Sequence, residues 1–334
     1  MSAVSSTSSR PLQIWLRRAA ASIFIACAAY VAVIFWSGWA DVVMALTRIG
    51  AVSLCAGTAV CATTFLVRFL RWRWILASLG HIVPFLYNLR VYLAGMALSS
   101  TPGKVGETLR SVLLLPVQVP VPRSLAAFVA DRLSDVIAVA VLGAAAGWFA
   151  GRREFMLEAI AAVVLMGSVL LATMMRAQPR VEGLQRVLRR AGLARWLSLA
   201  RAPAFAWAET WGGWRPLRYV SLGLAAYGLQ ALVFAGYVRR VAPDIDAAAC
   251  IAIFSSSTLI GAASLLPGGL GAMDSALVLQ LRARGVAWPD AMGAALALRA
   301  STLWFAWIIG LAALMTFAVR NPATCVADRP VPGR

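Results

Sequence analysis

The stretch SSTPGKVGETLRSVLL, residues 99–114, interrupts a long apolar region with charged and helix-breaking residues. It contains a Pro-Gly break, the only lysine of the chain (Lys104), a glutamate (Glu107) and an arginine (Arg110). Ionisable groups at membrane depth are costly, so by default they mark a functional site. Because Pro and Gly interrupt helices and free backbone N–H groups, the stretch predicts a break within a membrane-embedded segment.

The composition is that of an integral membrane protein. Of the 334 residues, 61% are hydrophobic and 13% are charged, and the mean hydropathy is +0.79. Soluble domains average about 45–50% apolar and about 25% charged residues. The net charge of +18 comes from arginines between the apolar runs and at their ends. Positive charge on the cytoplasmic side explains this pattern, so we expect anionic lipid headgroups as counterions and no nucleic-acid partner.

The apolar runs predict an all-α polytopic membrane protein with about six full spans and two re-entrant helical hairpins. Each hairpin, 82–115 or 245–284, has a longer apolar arm, a Pro-Gly break and a short charged arm, 104–115 or 270–284. These short arms are too polar to cross a membrane alone. The full spans are predicted at 19–36, 50–70, 124–150, 155–175, 217–238 and 290–318.

We expect one membrane domain, 17–320, between an N-terminal cytoplasmic tail, 1–16, and a C-terminal tail, 321–334. The basic loop 176–218 contains an amphipathic segment, 180–201, which we expect to lie on the inner leaflet and bind anionic lipids. An ordinary solvated linker helix is the alternative for this segment.

Arginine clusters orient the chain, because positively charged loops stay in the cytoplasm. One cluster precedes the first span, and a second lies in the basic loop. The third surrounds the short loop after the second span and comprises Arg68, Arg71, Arg73 and Arg90. This orientation predicts a bacterial cytoplasmic membrane protein with both termini in the cytoplasm.

The two breaks resemble each other in sequence. The first reads PGKVGE at 102–107, and the second reads PGGLGAMD at 267–274. Glu107 precedes Arg132 by 25 residues, and Asp274 precedes Arg299 by the same 25 residues. The matched spacing predicts an internal repeat.

The repeat halves are placed at about 50–150 and 217–318. Between their arginine-bearing spans lie two full spans and one hairpin, so these two spans run in opposite directions. An inverted repeat of this kind is common in transporters, whose binding sites lie where broken helices meet near the midplane.

The breaks and the charged residues after them are the candidate substrate-binding site. The N-terminus of a short helix carries partial positive charge and, with Lys104, suits an anionic headgroup. We expect Glu107 to pair with Arg110, Arg132 with Asp135, and Arg299 with Asp274. A Pro-Gly corner at the membrane surface, with its charges in water, is the alternative. The candidates are Pro102, Gly103, Lys104, Gly106, Glu107, Arg110, Asp131, Arg132, Asp135, Pro267, Gly268, Gly269, Gly271, Asp274 and Arg299.

The residues predict neither a cofactor nor a metal site, and we expect no enzymatic activity. A GxxxxGK[ST] phosphate-binding loop is absent, and His81 is the only histidine. One enzymatic alternative remains, a membrane transferase in which Asp131 and Asp135 hold Mg²⁺ against a lipid phosphate. A non-transporting scaffold of a lipid-synthesis complex is a third interpretation, and a homo-oligomer is left open.

Three of these motifs resemble the flippase-like membrane domain family of lysylphosphatidylglycerol synthases. They are Pro-Gly-x-x-Gly-Glu-x-x-Arg at 102–110, the acidic-Arg-x-x-Asp motif at 131–135, and Pro-Gly-Gly-x-Gly with a following acid at 267–274. Asp131 and Asp274 stand where the family usually has glutamate. The resemblance covers nearly the whole chain.

The resemblance implies lipid translocation by a stand-alone member that lacks the aminoacyl-transferase domain. The substrate would be a phospholipid, an aminoacyl-phospholipid, a polyprenyl-linked lipid or a hopanoid, since relatives of this size include a hopanoid-associated membrane protein. The residues themselves do not select among these lipids.

Overall fold

The computed structural model describes residues 28, 39–97, 109–151, 210–211, 213–264 and 266–319, and its regular structure over these ranges is helical. The helices of the first half are α1 (Trp39–Ile49), α2 (Ala51–Ser78), α3 (Phe85–Met96), α4 (Leu109–Leu114) and α5 (Val121–Phe149). Those of the second half are α6 (Arg215–Val241), α7 (Ala247–Ala263), α8 (Ala272–Arg282), α9 (Trp288–Arg299) and α10 (Phe305–Val319). A π-helical turn, Ala300–Trp304, joins α9 to α10 without a loop.

Three helical segments are long and apolar enough to cross a membrane. They are Ala51–Ser78, Arg215–Val241 and Trp288–Phe317, and they correspond to the predicted spans 50–70, 217–238 and 290–318. Large apolar side chains lie exposed on all three, as expected of lipid-facing surfaces; examples are Val52, Leu66, Leu232 and Ile308.

The fourth predicted span in these ranges, 124–150, corresponds to α5, a helix of 29 residues with charged groups in its first half. The predicted spans 19–36 and 155–175 lie outside the described residues, as does the amphipathic segment 180–201. The total of six spans therefore stays a prediction.

The helix α1 was not predicted from the sequence. Its buried residues Val42, Ala45 and Ile49 follow helical spacing along one face, which packs against α9. Asp41 in the first turn and Arg48 in the last complement the helix dipole. Because α1 is only 11 residues long, its apolar face was indistinguishable from a linker in the sequence.

The two arms of each predicted hairpin correspond to two of the helices. In the first, α3 and α4 flank residues 98–108, which lie outside the described residues. In the second, α7 leads into a 3₁₀ turn, Pro267–Gly269, and then into α8. Gly269 has φ +67°, and a Cβ there would lie 3.3 Å from the backbone of α7, so both conformation and space favour glycine.

The two hairpins pack against opposite halves of the molecule. The first arm of the first hairpin, α3, packs on α10, and the first arm of the second, α7, packs on α5. The helix α6 lies against α2 and α5 at the centre. Contact between α3 and α10 is close, because a Cβ added at Gly310 would lie 2.5 Å from the backbone nitrogen of Ala97.

Candidate functional site

A cavity of about 330 Å³ lies where the two halves of the chain meet. Helices from both halves line it, together with the 3₁₀ turn of the second hairpin. Its wall combines aromatic and aliphatic side chains with several charged groups. The charged residues that line it are Arg68, Arg110, Arg132, Asp135 and Arg299.

A buried charge network forms the α5 side of the cavity. Asp135 Oδ2 accepts hydrogen bonds from Arg68 Nη2 at 2.8 Å and makes an ion pair with Arg132 Nη1 at 3.2 Å. Asp131 accepts from Arg71 Nε at 2.8 Å and from Arg132 Nη2 at 2.9 Å. Arg71 also donates to Asp135. The side chains of Arg71 and Asp131 are 0% exposed, so each charge is compensated inside the protein.

Helical spacing explains how the network assembles. Asp131 and Asp135 are four residues apart on α5, and Arg68 and Arg71 are three apart on α2. Each pair therefore shares one helix face, and the two faces meet. The Arg132–Asp135 pair predicted from the sequence is confirmed.

Two residues of the network were misassigned from the sequence. Arg68 and Arg71 were placed in a loop-side cluster that orients the chain, and this was wrong, because both lie within α2 and bind carboxylates. In the sequence, the three-residue spacing of these arginines inside an apolar run was the signal that they share one helix face.

Arg110, in the second arm of the first hairpin, lies against aromatic rings. Its guanidinium carbon is 4.2 Å from the ring centre of Tyr92 and 5.1 Å from that of Trp72. Gly95 leaves the room that this requires, since a Cβ there would lie 2.8 Å from Arg110 Cγ. The side chain is 2% exposed, so it is not a surface charge. Its predicted partner, Glu107, lies outside the described residues.

Arg299 ties the second break together. It donates to both carboxylate oxygens of Asp274, from Nε at 2.6 Å and from Nη2 at 3.1 Å, which confirms the predicted pair. It also donates to the carbonyl oxygens of Gly268 at 3.2 Å and Gly269 at 3.1 Å. Asp274 in turn accepts from the backbone N–H of Gly271 at 3.1 Å. The break is thus held by a buried arginine, which does not fit an ordinary corner with its charges in water.

The structure brings six of the candidate residues to the cavity wall: Arg110, Arg132, Asp135, Gly268, Gly269 and Arg299. Asp131 and Asp274 lie behind the wall, and each is bound to an arginine of the wall. The backbone N–H of Gly271 donates to Asp274, and Pro267 begins the 3₁₀ turn. The remaining candidates, Pro102, Gly103, Lys104, Gly106 and Glu107, lie outside the described residues. A role of these residues in substrate binding stays a prediction.

Several residues of the wall were missed in the sequence. Tyr92 and Tyr227 belong to it, with the guanidinium of Arg68 5.3 Å from the Tyr227 ring centre. Gln230 also lines it and donates to Thr64 at 2.8 Å. Aromatic and amide side chains within apolar helices give no distinct signal without knowledge of their neighbours.

His81 lies apart from this site, in the turn between α2 and α3. Partial burial and the nearby charge of Arg123 lower the pKa of its imidazole. Among the described residues no group of three or more histidine, cysteine or carboxylate side chains is positioned to hold a metal ion.

Spanning helices, a lipid-facing apolar exterior and a buried, charge-lined cavity define the chain as a helical integral membrane protein. Residues 21–310 match the family described as the lysylphosphatidylglycerol synthase TM region, and the chain belongs to that family. This confirms the resemblance found in the motifs and indicates a role related to membrane lipids. None of the curated proteins with which the chain was compared matches it.

Proposed function

We propose that this protein translocates a lipid with an anionic or polar headgroup across the bacterial cytoplasmic membrane. The observation that carries the proposal is one cavity whose charged lining includes residues that follow each of the two predicted breaks, Arg110 after the first and Arg299 after the second. Membership of a lipid-related membrane family is consistent with it.

The dimensions and chemistry of the cavity suit a headgroup. Ligand pockets typically measure about 300–1,000 Å³, so a cavity of about 330 Å³ can hold a headgroup but not acyl chains. Four arginines line it and would bind the anionic part of the headgroup. The tails would remain in the bilayer during transport.

The reciprocal packing of the hairpins supports an internal repeat, which we propose to be inverted because of the predicted number of spans between the halves. The helix α3 packs on the span that follows the second hairpin, and α7 packs on the span that follows the first. A two-fold relation between the halves produces such an exchange. The proposal therefore includes six spans, two re-entrant hairpins and cytoplasmic termini, an arrangement in which one half can move against the other.

The arginine contacts favour transport over a metal-dependent transferase. Asp131 and Asp135, the carboxylates of the alternative Mg²⁺ site, are bound by Arg68, Arg71 and Arg132. A cation would have to break these pairs in a buried setting, where the loss of one partner is strongly unfavourable. We therefore propose no catalytic residue and no cofactor.

We also propose that anionic lipids of the inner leaflet bind the basic segment 176–218. Its arginines would hold the segment against the membrane surface. This contact concerns anchoring and is separate from the substrate cavity.

Transport can be tested in liposomes that contain the purified full-length chain and a trace of fluorescent phospholipid. A membrane-impermeant quencher added outside reports how much label reaches the outer leaflet. We expect the wild-type protein to bring the inner-leaflet label within reach of the quencher. Arg299→Ala should abolish this, because Arg299 lines the cavity and holds the second break.

Arg48→Ala is the matched control, because Arg48 pairs with Asp290 between α1 and α9 and does not line the cavity. Its transport should equal that of the wild type. Equal rates of lipid translocation for Arg299→Ala and Arg48→Ala would show that the cavity is not required for transport. A chemically altered lipid in the presence of Mg²⁺ would favour the transferase. If the lipid is neither moved nor chemically changed, the scaffold is favoured.

A further inference from the structure

Two buried hydrogen-bond donors in the cavity wall have no acceptor within the described part of the chain. They are the hydroxyl of Tyr92 on α3 and the Nε–H of Arg68 on α2. Buried polar groups are nearly always hydrogen-bonded, to the protein, to ordered water or to a ligand. Because both donors belong to one cavity, a chemical group that enters the cavity can serve as the acceptor for both.

The Nε–H of Arg68 remains available after this arginine has bound its carboxylate. Asp135 accepts from Nη2 of Arg68 at 2.8 Å, and the guanidinium lies 5.3 Å from the ring centre of Tyr227. Arg299 differs, since its Nε and Nη2 both donate to Asp274. Asp135 therefore fixes the position of Arg68 and leaves its Nε–H to another acceptor. An arginine N–H can only donate, so that acceptor must present a lone pair.

The ring of Tyr92 is held in place by its neighbours. The guanidinium of Arg110 lies 4.2 Å from the ring centre, and Phe69 and Trp72 pack against the ring at 5.6 and 6.4 Å between centroids. Phe69 directly follows Arg68 on α2, and Arg68 lies within electrostatic reach of Tyr92. The two donors therefore lie in the same part of the wall, where α2 packs on α3.

We propose that Tyr92 and Arg68 are specificity-determining residues, whose hydroxyl and Nε–H donate hydrogen bonds to a phosphate oxygen of the lipid headgroup. This rests on the proposed function and assigns the residues that recognise the anionic part of its substrate. The anionic oxygen of a phosphodiester carries no proton, so it can accept from both donors at once. Hydrogen bonds from arginine to phosphate are shorter and roughly twice as strong as those between neutral groups. A neutral sugar or polyol headgroup offers only hydroxyl acceptors, which are weaker partners for a buried arginine.

The test measures the binding of two lipids to the detergent-solubilised full-length protein by native mass spectrometry. Dioleoyl phosphatidylglycerol and monogalactosyl dioleoylglycerol share their tails and have hydroxyl-bearing headgroups, but only the first contains a phosphate. Tyr92→Phe removes the hydroxyl and keeps the ring that stacks on Arg110. We expect this variant to bind phosphatidylglycerol about tenfold more weakly than the wild type and the galactolipid equally well. A merely structural disturbance would weaken both lipids alike.

Tyr237→Phe is the matched control, since that hydroxyl bonds to Ser301 Oγ at 2.6 Å and Tyr237 does not line the cavity. It should bind both lipids as the wild type does. Unchanged phosphatidylglycerol affinity in Tyr92→Phe would overturn the proposal and leave the hydroxyl to ordered water. An equal loss for the two lipids, or in the two variants, would overturn it as well, because the hydroxyl would then not recognise the phosphate.

Arg68→Lys tests the second donor. Lysine keeps the positive charge beside Asp135 and lacks the Nε–H of arginine. We expect phosphatidylglycerol to bind this variant about tenfold more weakly, again with no change for the galactolipid. Arg73→Lys is the control, because Arg73 lies against the ring of Phe85 and does not line the cavity. Equal phosphatidylglycerol affinities in the two lysine variants would contradict a contact between Arg68 and the phosphate.

Glycerophosphoglycerol, which is the headgroup of phosphatidylglycerol without its tails, separates a lipid ligand from a soluble phosphate. If it displaces phosphatidylglycerol at equal concentration, the lipid assignment is overturned. The liposome assay distinguishes this proposal from the proposed function. Translocation by the wild type, with unchanged phosphatidylglycerol binding in Tyr92→Phe, would refute the donor assignment alone. Phosphate-selective binding that depends on Tyr92, without any translocation, would refute transport alone.

Discussion

Arg71 and Asp131 are the most deeply buried charges among the described residues that form the site. Arg71 lies fully buried between Asp131 and Asp135. Burial of an ion pair is weak evidence for stability as such, but removal of one partner leaves an uncompensated charge. The network is therefore sensitive to single substitutions that keep shape and change charge.

Asp131→Asn should destabilise the protein by about 3–5 kcal/mol, because the buried Arg71 loses a carboxylate that it binds directly. Thermal unfolding in detergent measures the loss. The double variant Asp131→Asn, Arg71→Met should recover part of it, since the uncompensated charge is removed. Asp290→Asn makes the same chemical change beside Arg48, whose side chain is 47% exposed, and should cost less than about 1 kcal/mol. Equal losses in the two asparagine variants would contradict a buried network.

Ion pairs between residues that are close in sequence or matched by the repeat could be predicted from the sequence. Ion pairs between distant residues could not. The Arg132–Asp135 pair follows from helical spacing, and Arg299–Asp274 from the predicted hairpin. Arg71 is 60 residues from Asp131, and no local pattern connects them. Tyr92 lies within an apolar arm, where an aromatic residue predicts only packing.

At the scale of elements, helix breaks were predictable and small packing helices were not. The Pro-Gly break near residue 267 separates α7 from α8 as expected, because proline and positive-φ glycine cannot continue a helix. The helix α1 was missed because three buried positions, spread over about two turns, carry too little periodicity. The π turn after Arg299 could not be foreseen either, since its sequence, ASTLW, is compatible with a regular helix.

The close contact of α10 with α3 gives a prediction at this scale. Gly310→Ala should destabilise the protein, because the new Cβ would lie 2.5 Å from the backbone of α3 and its C-cap and must push the helices apart. Gly236→Ala is the matched control, a helical glycine on α6 with no atom within 4 Å of the new Cβ. It should be neutral or stabilising by about 0.5–1 kcal/mol, the usual helix preference for alanine. The unfolding temperatures of both variants in detergent measure these effects. If Gly310→Ala and Gly236→Ala change the unfolding temperature equally, close packing at Gly310 is disproved.

At the scale of the whole molecule, the exchange of hairpin arms makes each half depend on the other. The first arm of each hairpin packs on a span of the opposite half, and the cavity lies between them. Under the proposed function, a substrate in the cavity would contact both halves at once. Such a geometry lets one half move relative to the other while the charged groups stay around the ligand, which is the usual requirement for alternating access.

The inverted repeat further predicts that the two hairpins are reached from opposite sides of the membrane. Ile82, in the turn between α2 and α3, and Ala283, between α8 and α9, are both exposed and lie beside the two hairpins. In a variant whose native cysteines are replaced, Ile82→Cys should react with a membrane-impermeant maleimide only from the cytoplasm. Ala283→Cys should react only from the periplasm, because three predicted spans, 124–150, 155–175 and 217–238, lie between the two positions and a hairpin adds no net crossing. Labelling of both cysteines from the same side would exclude the inverted arrangement, and with it the two-sided access on which translocation through this cavity depends.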